Sequence, residues 1–131
     1  METRYQSDEY TEIAMDLIRN EPLFEDIKDS DAAIVCLGSD LEKKSTGKTI
    51  FGECEKIPTK YKWIIPYDFT ITIYEPNVER FTDEQIRILI MHELLHVGIE
   101  KDGNEEKYYI RPHDIEDFRL ILERYGMGWQ E

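Results

Sequence analysis

The chain has 131 residues, 40% of them hydrophobic and 34% charged, enough for one domain (residues 1–131) with its own core and too few for two. Its 29 acidic residues outweigh 16 basic ones, a formal net charge of -13. A surface so negative repels phosphate backbones and anionic lipid headgroups, so neither nucleic acid nor a membrane is an expected partner.

In chain order, the first ten residues lack the basic-then-apolar order of a secretory leader, which points to a cytoplasmic protein. Residues 8–27 read as a helix through Ile13, Leu17, Leu23, Phe24 and Ile27, kinked or broken at Pro22. Residues 32–37 read as a buried strand ended by Gly38, and residues 40–48 as an exposed loop or hairpin tip. Strands are expected over residues 49–57 and 61–65, with a turn at Pro58 between them. Residues 68–74 alternate, with Phe69, Ile71 and Ile73 on one face, the period of a half-buried strand; its backbone is a candidate to pair with an extended peptide, and its simpler role is as one more member of the sheet. Cys36 and Cys54 fall in strand-like runs, do not form a CxxC pair, and read as buried free thiols.

The best-marked element follows. Thr82 and Gln85 form a capping box, Asp83 and Glu84 suit the first turn, and Ile86, Leu89, Ile90, Leu94 and Val97 make a core-facing stripe ending near Gly98. Arg87, His92, Glu93 and His96 interrupt its apolar run, so it is no membrane helix. Residues 101–104 signal a turn, 108–110 a short strand, and 112–125 a last helix with Ile115, Phe118, Ile121, Leu122 and Tyr125 facing inward. Helix, strands, helix, loop, helix is an α+β order: a three- to five-stranded mixed or antiparallel sheet packed on the capped helix, with helices flanking it at both ends.

Within the capped helix stands His92-Glu93-Leu94-Leu95-His96, an HExxH motif. Residues four apart share a helix face, so both imidazoles can converge on one ion. Zinc suits such nitrogen ligands, and a catalytic site leaves one position open. Glu93, beside the first ligand, is then the candidate general base. A third ligand is needed, and His113 is the one remaining histidine. Asp102, Asp114, Glu116 and Asp117 compete with it, and a capping or solvent-facing His113 is the plainer alternative. The longer HExxHxxGxxH layout is excluded, because Ile99 and Asp102 stand where its glycine and histidine would be. Asp114 or Asp117 is a candidate acceptor for a ligand's second ring N–H. Tyr108 or Tyr109 is a candidate oxyanion donor, with Tyr109 preferred, against a simple packing role for both.

The motif HELLHVG, the Asp68-Phe69 strand and Pro112-His113-Asp114-Ile115-Glu116-Asp117-Phe118 together resemble the putative phage metallopeptidase family, over most of the chain from about Ile13. More distantly the chain is similar to SprT-like zinc proteases of the zincin group, although it lacks their cysteine zinc ribbon and has the wrong charge for DNA. The resemblance implies a zincin-like domain in the host cytoplasm, with His92, His96 and His113 holding Zn2+, Glu93 as catalytic acid/base and a protein or peptide as substrate. The competing functions are a zinc-binding phage protein that acts on a host protein by binding alone, and hydrolysis of another bond such as a cell-wall amide.

Overall fold

The computed structural model describes residues 1–113, 121, 124 and 125. Its elements are β1 (Arg4–Gln6), α1 (Asp8–Asn20), α2 (Glu25–Lys28), β2 (Ile34–Ser39), β3 (Lys44–Ser45), β4 (Lys48–Thr49), β5 (Gly52–Lys56), β6 (Phe69–Tyr74), α3 (Asp83–Leu94), β7 (Val97–Asp102) and β8 (Glu105–Ile110). The main sheet is mixed and four-stranded, in the order β1-β2-β6-β5. β2 and β6 run parallel, while β1 and β5 close the two edges antiparallel. The α+β expectation, with a small mixed sheet, agrees with this arrangement.

Local chemistry accounts for where the elements begin and stop. Ser7 caps α1, its Oγ accepting the Tyr10 amide at 3.1 Å. Pro22 then breaks the expected helix of residues 8–27 into α1, a 3-10 turn at Pro22–Phe24 and α2. α1 and α3 lie on one face of the sheet, where Leu17, Ile34, Cys36, Phe69, Ile71, Ile73, Ile90 and Leu94 form the buried core. Cys36 and Cys54 are both free, and both flank Ile71 from opposite sides. Two strand spacings, about 9.5 Å, separate them, beyond the reach of a disulfide.

Four strand expectations change. β6 is not half-buried: Ile71, Thr72, Ile73 and Tyr74 are all buried, because the strand is central and Arg4 and Lys43 cover Thr72 and Tyr74 on its second face. Both edges of β6 are paired, so it cannot take up an extended peptide; among the described residues the sheet's outer edges are those of β1 and β5. Residues 61–65 are not a strand. A 3-10 turn at Thr59–Tyr61 leads into local bonds, with Ile64 N and Ile65 N both donating to Tyr61 O at 3.0 and 2.8 Å. The strand of residues 32–37 does not end at Gly38 but runs to Ser39, because the unanticipated β1 pairs with it and lays the Tyr5 ring over Gly38, 2.4 Å from where a Cβ would stand. The expected last helix lies largely outside the described residues; of it, Ile121 is buried and Tyr125 packs against the core.

The capping box of α3 is complete, with Thr82 N donating to Gln85 Oε1 (2.8 Å) and Gln85 N to Thr82 Oγ1 (3.2 Å). Thr82→Ala removes one half and is expected to cost about 1 kcal/mol in urea unfolding, with an unchanged m-value.

Candidate metal centre

α3 ends sooner than its apolar stripe suggests. Its last residue is Leu94, and Leu95 N is shared between the carbonyls of Met91 and His92 at 3.1 and 3.2 Å. His96 N then donates to Glu93 O at 3.0 Å, a tightened final turn from which the chain enters β7. The HExxH segment is therefore not in mid-helix but at its C-terminal end, and Gly98 belongs to β7 rather than to a helix stop. The tightened turn still leaves the His92 and His96 rings close, with centroids 5.4 Å apart.

His113 is brought back by a hairpin. β7 and β8 pair antiparallel from Val97↔Ile110 to Asp102↔Glu105, with Gly103 at φ 67° in the turn. The pairing continues one step past the strands, where Arg111 N donates to His96 O at 2.6 Å. His113 follows two residues later. Its Nε2 lies 2.8 Å from His92 Nε2, and its ring centroid is 4.4 Å from that of His96. One ligand atom from each of the three histidines falls within 4.8 Å of the others.

The tautomer of His96 follows from its partner. Nδ1 lies 2.7 Å from Arg111 O, and a carbonyl can only accept, so Nδ1 carries the proton and Nε2 keeps its lone pair. The expected acceptors Asp114 and Asp117 lie outside the described residues; for His96 the acceptor is main chain. Tetrahedral nitrogen ligands at about 2.0–2.1 Å from zinc stand about 3.3 Å apart, and here one pair is 2.8 Å apart with all three atoms within 4.8 Å, near the size of such a shell. Three neutral imidazoles with one position open also fit zinc in kind.

Glu93 is buried, at 4% exposure, in the last turn of α3. Below it is Gly52 at the start of β5: a Cβ there would lie 3.6 Å from Glu93 Cγ and 3.1 Å from Thr72 O. Cys54 also lies in this neighbourhood. Burial first, and the Glu93 charge second, push its thiol well above the ordinary range.

The other expected residues are placed differently. Asp102 sits at the hairpin tip, 3.7 Å from Lys107 Nζ, a full strand length from His96. Asp114, Glu116 and Asp117 lie outside the described residues. Tyr108 packs its ring 5.7 Å from that of Phe69 and donates its hydroxyl to Glu106 at 2.7 Å, which is a packing role. The half-exposed Tyr109 ring lies over Gly98, its cross-strand partner two residues past His96. Sequence reasoning missed Arg111, which acts through main-chain atoms and so leaves no residue-type signal. It also missed Gly52, where a glycine within a strand is itself a sign of close approach.

Three converging imidazoles beside a buried carboxylate define a candidate metal centre. The chain belongs to the putative phage metallopeptidase family, which it matches over residues 3–131. That family implies a metal ion and a protein or peptide substrate. No curated protein and no solved structure matches the chain significantly. Among the described residues, no helix is long and apolar enough to cross a membrane.

At a pH above the histidine range, nitrogen-15 NMR of the metal-free protein is expected to find His96 in the Nδ1–H form. An Nε2–H form would mean that Arg111 O does not hold the ring.

Proposed function

We propose that the chain is a zinc-dependent peptidase of zincin-like fold, acting in the host cytoplasm, with His92, His96 and His113 as ligands and Glu93 as general base. The observation that carries this reading is the convergence of His113, by way of the β7–β8 hairpin, on the two histidines of the HExxH segment. Zinc held there supplies a Lewis acid that polarises the scissile carbonyl and makes water nucleophilic near neutral pH.

The chain's own groups do the rest. Arg111 O orients the His96 ring through Nδ1–H and raises the basicity of Nε2. The Glu93 carboxylate takes a proton from the attacking water and delivers it to the amide nitrogen that leaves. Burial keeps that carboxylate from being solvated away from the reacting atoms. The β5 edge, which starts at Gly52 under Glu93, offers main-chain groups to an extended substrate. The Tyr109 hydroxyl is the proposed donor to the developing oxyanion.

Purified wild type is expected to carry one zinc per chain, and His113→Ala to lose it; zinc retained in that variant would remove His113 from the site. Glu93→Gln should keep metal and fold while lowering kcat about 10²- to 10⁴-fold on a denatured protein substrate. A Glu93→Gln variant that keeps its full biological effect would instead mean that the protein acts by binding alone. Gly52→Val crowds Thr72 O and the Glu93 stem together. It should lower kcat with zinc content unchanged, and loss of zinc instead would mean that the glycine serves the ligands.

A further inference from the structure

The connection from β5 to β6 differs from the rest of the surface in charge and in polarity. Residues 56–67 contain Lys56, Lys60 and Lys62 and not one carboxylate, in a chain where acids outnumber bases 29 to 16. In the same stretch Trp63 is 94% exposed, Ile64 81% and Tyr61 42%. Large apolar side chains left so far in water are the usual mark of a surface that meets something.

The segment is well anchored. Ile57 N donates to Asp68 O at 2.8 Å, and Lys62 Nζ lies 2.5 Å from Oδ1 of the buried Asp68 and 5.8 Å from the centre of the Tyr108 ring. Pro58 and Pro66 bracket it. A fixed platform therefore holds the indole and the isoleucine outward, with the exposed Lys60 beside them. The platform is also continuous with the candidate metal centre. β5 begins at Gly52, beside Glu93, and runs straight into it; at about 3.3 Å per residue the two ends of β5 are about 13 Å apart.

We propose that residues 56–67 dock an acidic stretch of the polypeptide substrate, with Trp63 and Ile64 taking an apolar side chain and Lys56 and Lys60 the carboxylates beside it, about five residues from the bond that is cut. This rests on the peptidase reading above. Charge complementarity selects the ligand. An extended chain running along the β5 edge meets these lysines at its far end, where residues 56–67 carry no carboxylate. A flat anionic bilayer faces the whole negative surface at once. Single-stranded nucleic acid carries a charge on every nucleotide and lacks the amide backbone that the β5 edge can pair with.

The test uses zinc-loaded full-length protein and two peptides of one sequence, each with an apolar residue five positions from the cleaved bond. One peptide has Asp and Glu flanking that residue and the other has Asn and Gln. The acidic peptide is expected to have a kcat/KM about five- to tenfold higher, and Lys60→Glu and Trp63→Ala should each bring the ratio toward one. A wild-type ratio of one, or a ratio that neither variant moves, overturns the proposal. Fluorescence anisotropy of the labelled acidic peptide on Glu93→Gln protein reads docking without cleavage. Trp63-dependent binding there, with neither peptide cut by the wild type, supports the platform and sinks the peptidase reading instead. Trp63-dependent binding of phosphatidylglycerol vesicles or of oligo(dT), with no preference between the peptides, assigns the surface to another ligand and overturns the proposal.

Discussion

The candidate centre depends on one reciprocal contact. Arg111 donates its amide to the carbonyl of His96 and accepts the Nδ1 proton of the same residue, at 2.6 and 2.7 Å. A single peptide segment thus fixes the backbone of His96, its ring orientation and its tautomer. The same contact is the last rung of the β7–β8 hairpin, so it also sets where the chain stands when it reaches His113. Loss of either bond would loosen two of the three imidazoles together, because His113 is only two residues beyond the anchor. Both partners of the contact are main-chain or imidazole atoms; the Arg111 guanidinium lies elsewhere, 3.8 Å from Asp26.

The contact works because each end is already held. On the helix side, the capping box and the stripe of Leu89, Ile90 and Leu94 lock α3 onto the core, so its final turn has little freedom. On the hairpin side, the Phe69–Tyr108 ring contact seats β8 against the sheet, and Asp31 N donates to Glu106 at 3.0 Å near the tip. The centre therefore lies between two elements that pack on the same sheet but are formed by different physics, one by helical periodicity and caps, the other by cross-strand pairing.

That difference explains what could be read in advance. α3 was legible because its signals are local: Thr82 and Gln85 are three residues apart, and His92 and His96 are four. The family resemblance rested on the same short segments, and the chain belongs to that family. The convergence of His113 was legible from the residues as an economy of histidines and otherwise through the family resemblance, since it stands seventeen positions after His96 and hairpin register is what closes that gap. β6 misled for a related reason. Thr70, Thr72 and Tyr74 look like a solvent face by composition, yet Arg4 and Lys43, remote in sequence, fold their stems over Thr72 and Tyr74. The run at residues 61–65 has strand-like composition, but its amides turn back to Tyr61 O and leave its large side chains in water.

The chemistry under Glu93 bears on which metal such a centre would accept. Cys54 lies close enough to feel the Glu93 carboxylate, and burial and that charge both act against thiolate formation. The Cys54 sulfur is also absent from the ligand atoms that converge, which among the described residues are imidazole nitrogens. The donor set on offer is three imidazoles without a soft sulfur, a set that suits borderline divalent ions such as zinc, nickel and copper. Gly52 completes the arrangement from the other side: a Cβ there would crowd Thr72 O at 3.1 Å and touch the Glu93 stem at 3.6 Å. The Glu93 stem thus rests on bare backbone at the start of β5, which is how a buried carboxylate fits beside His92 in the last turn of α3.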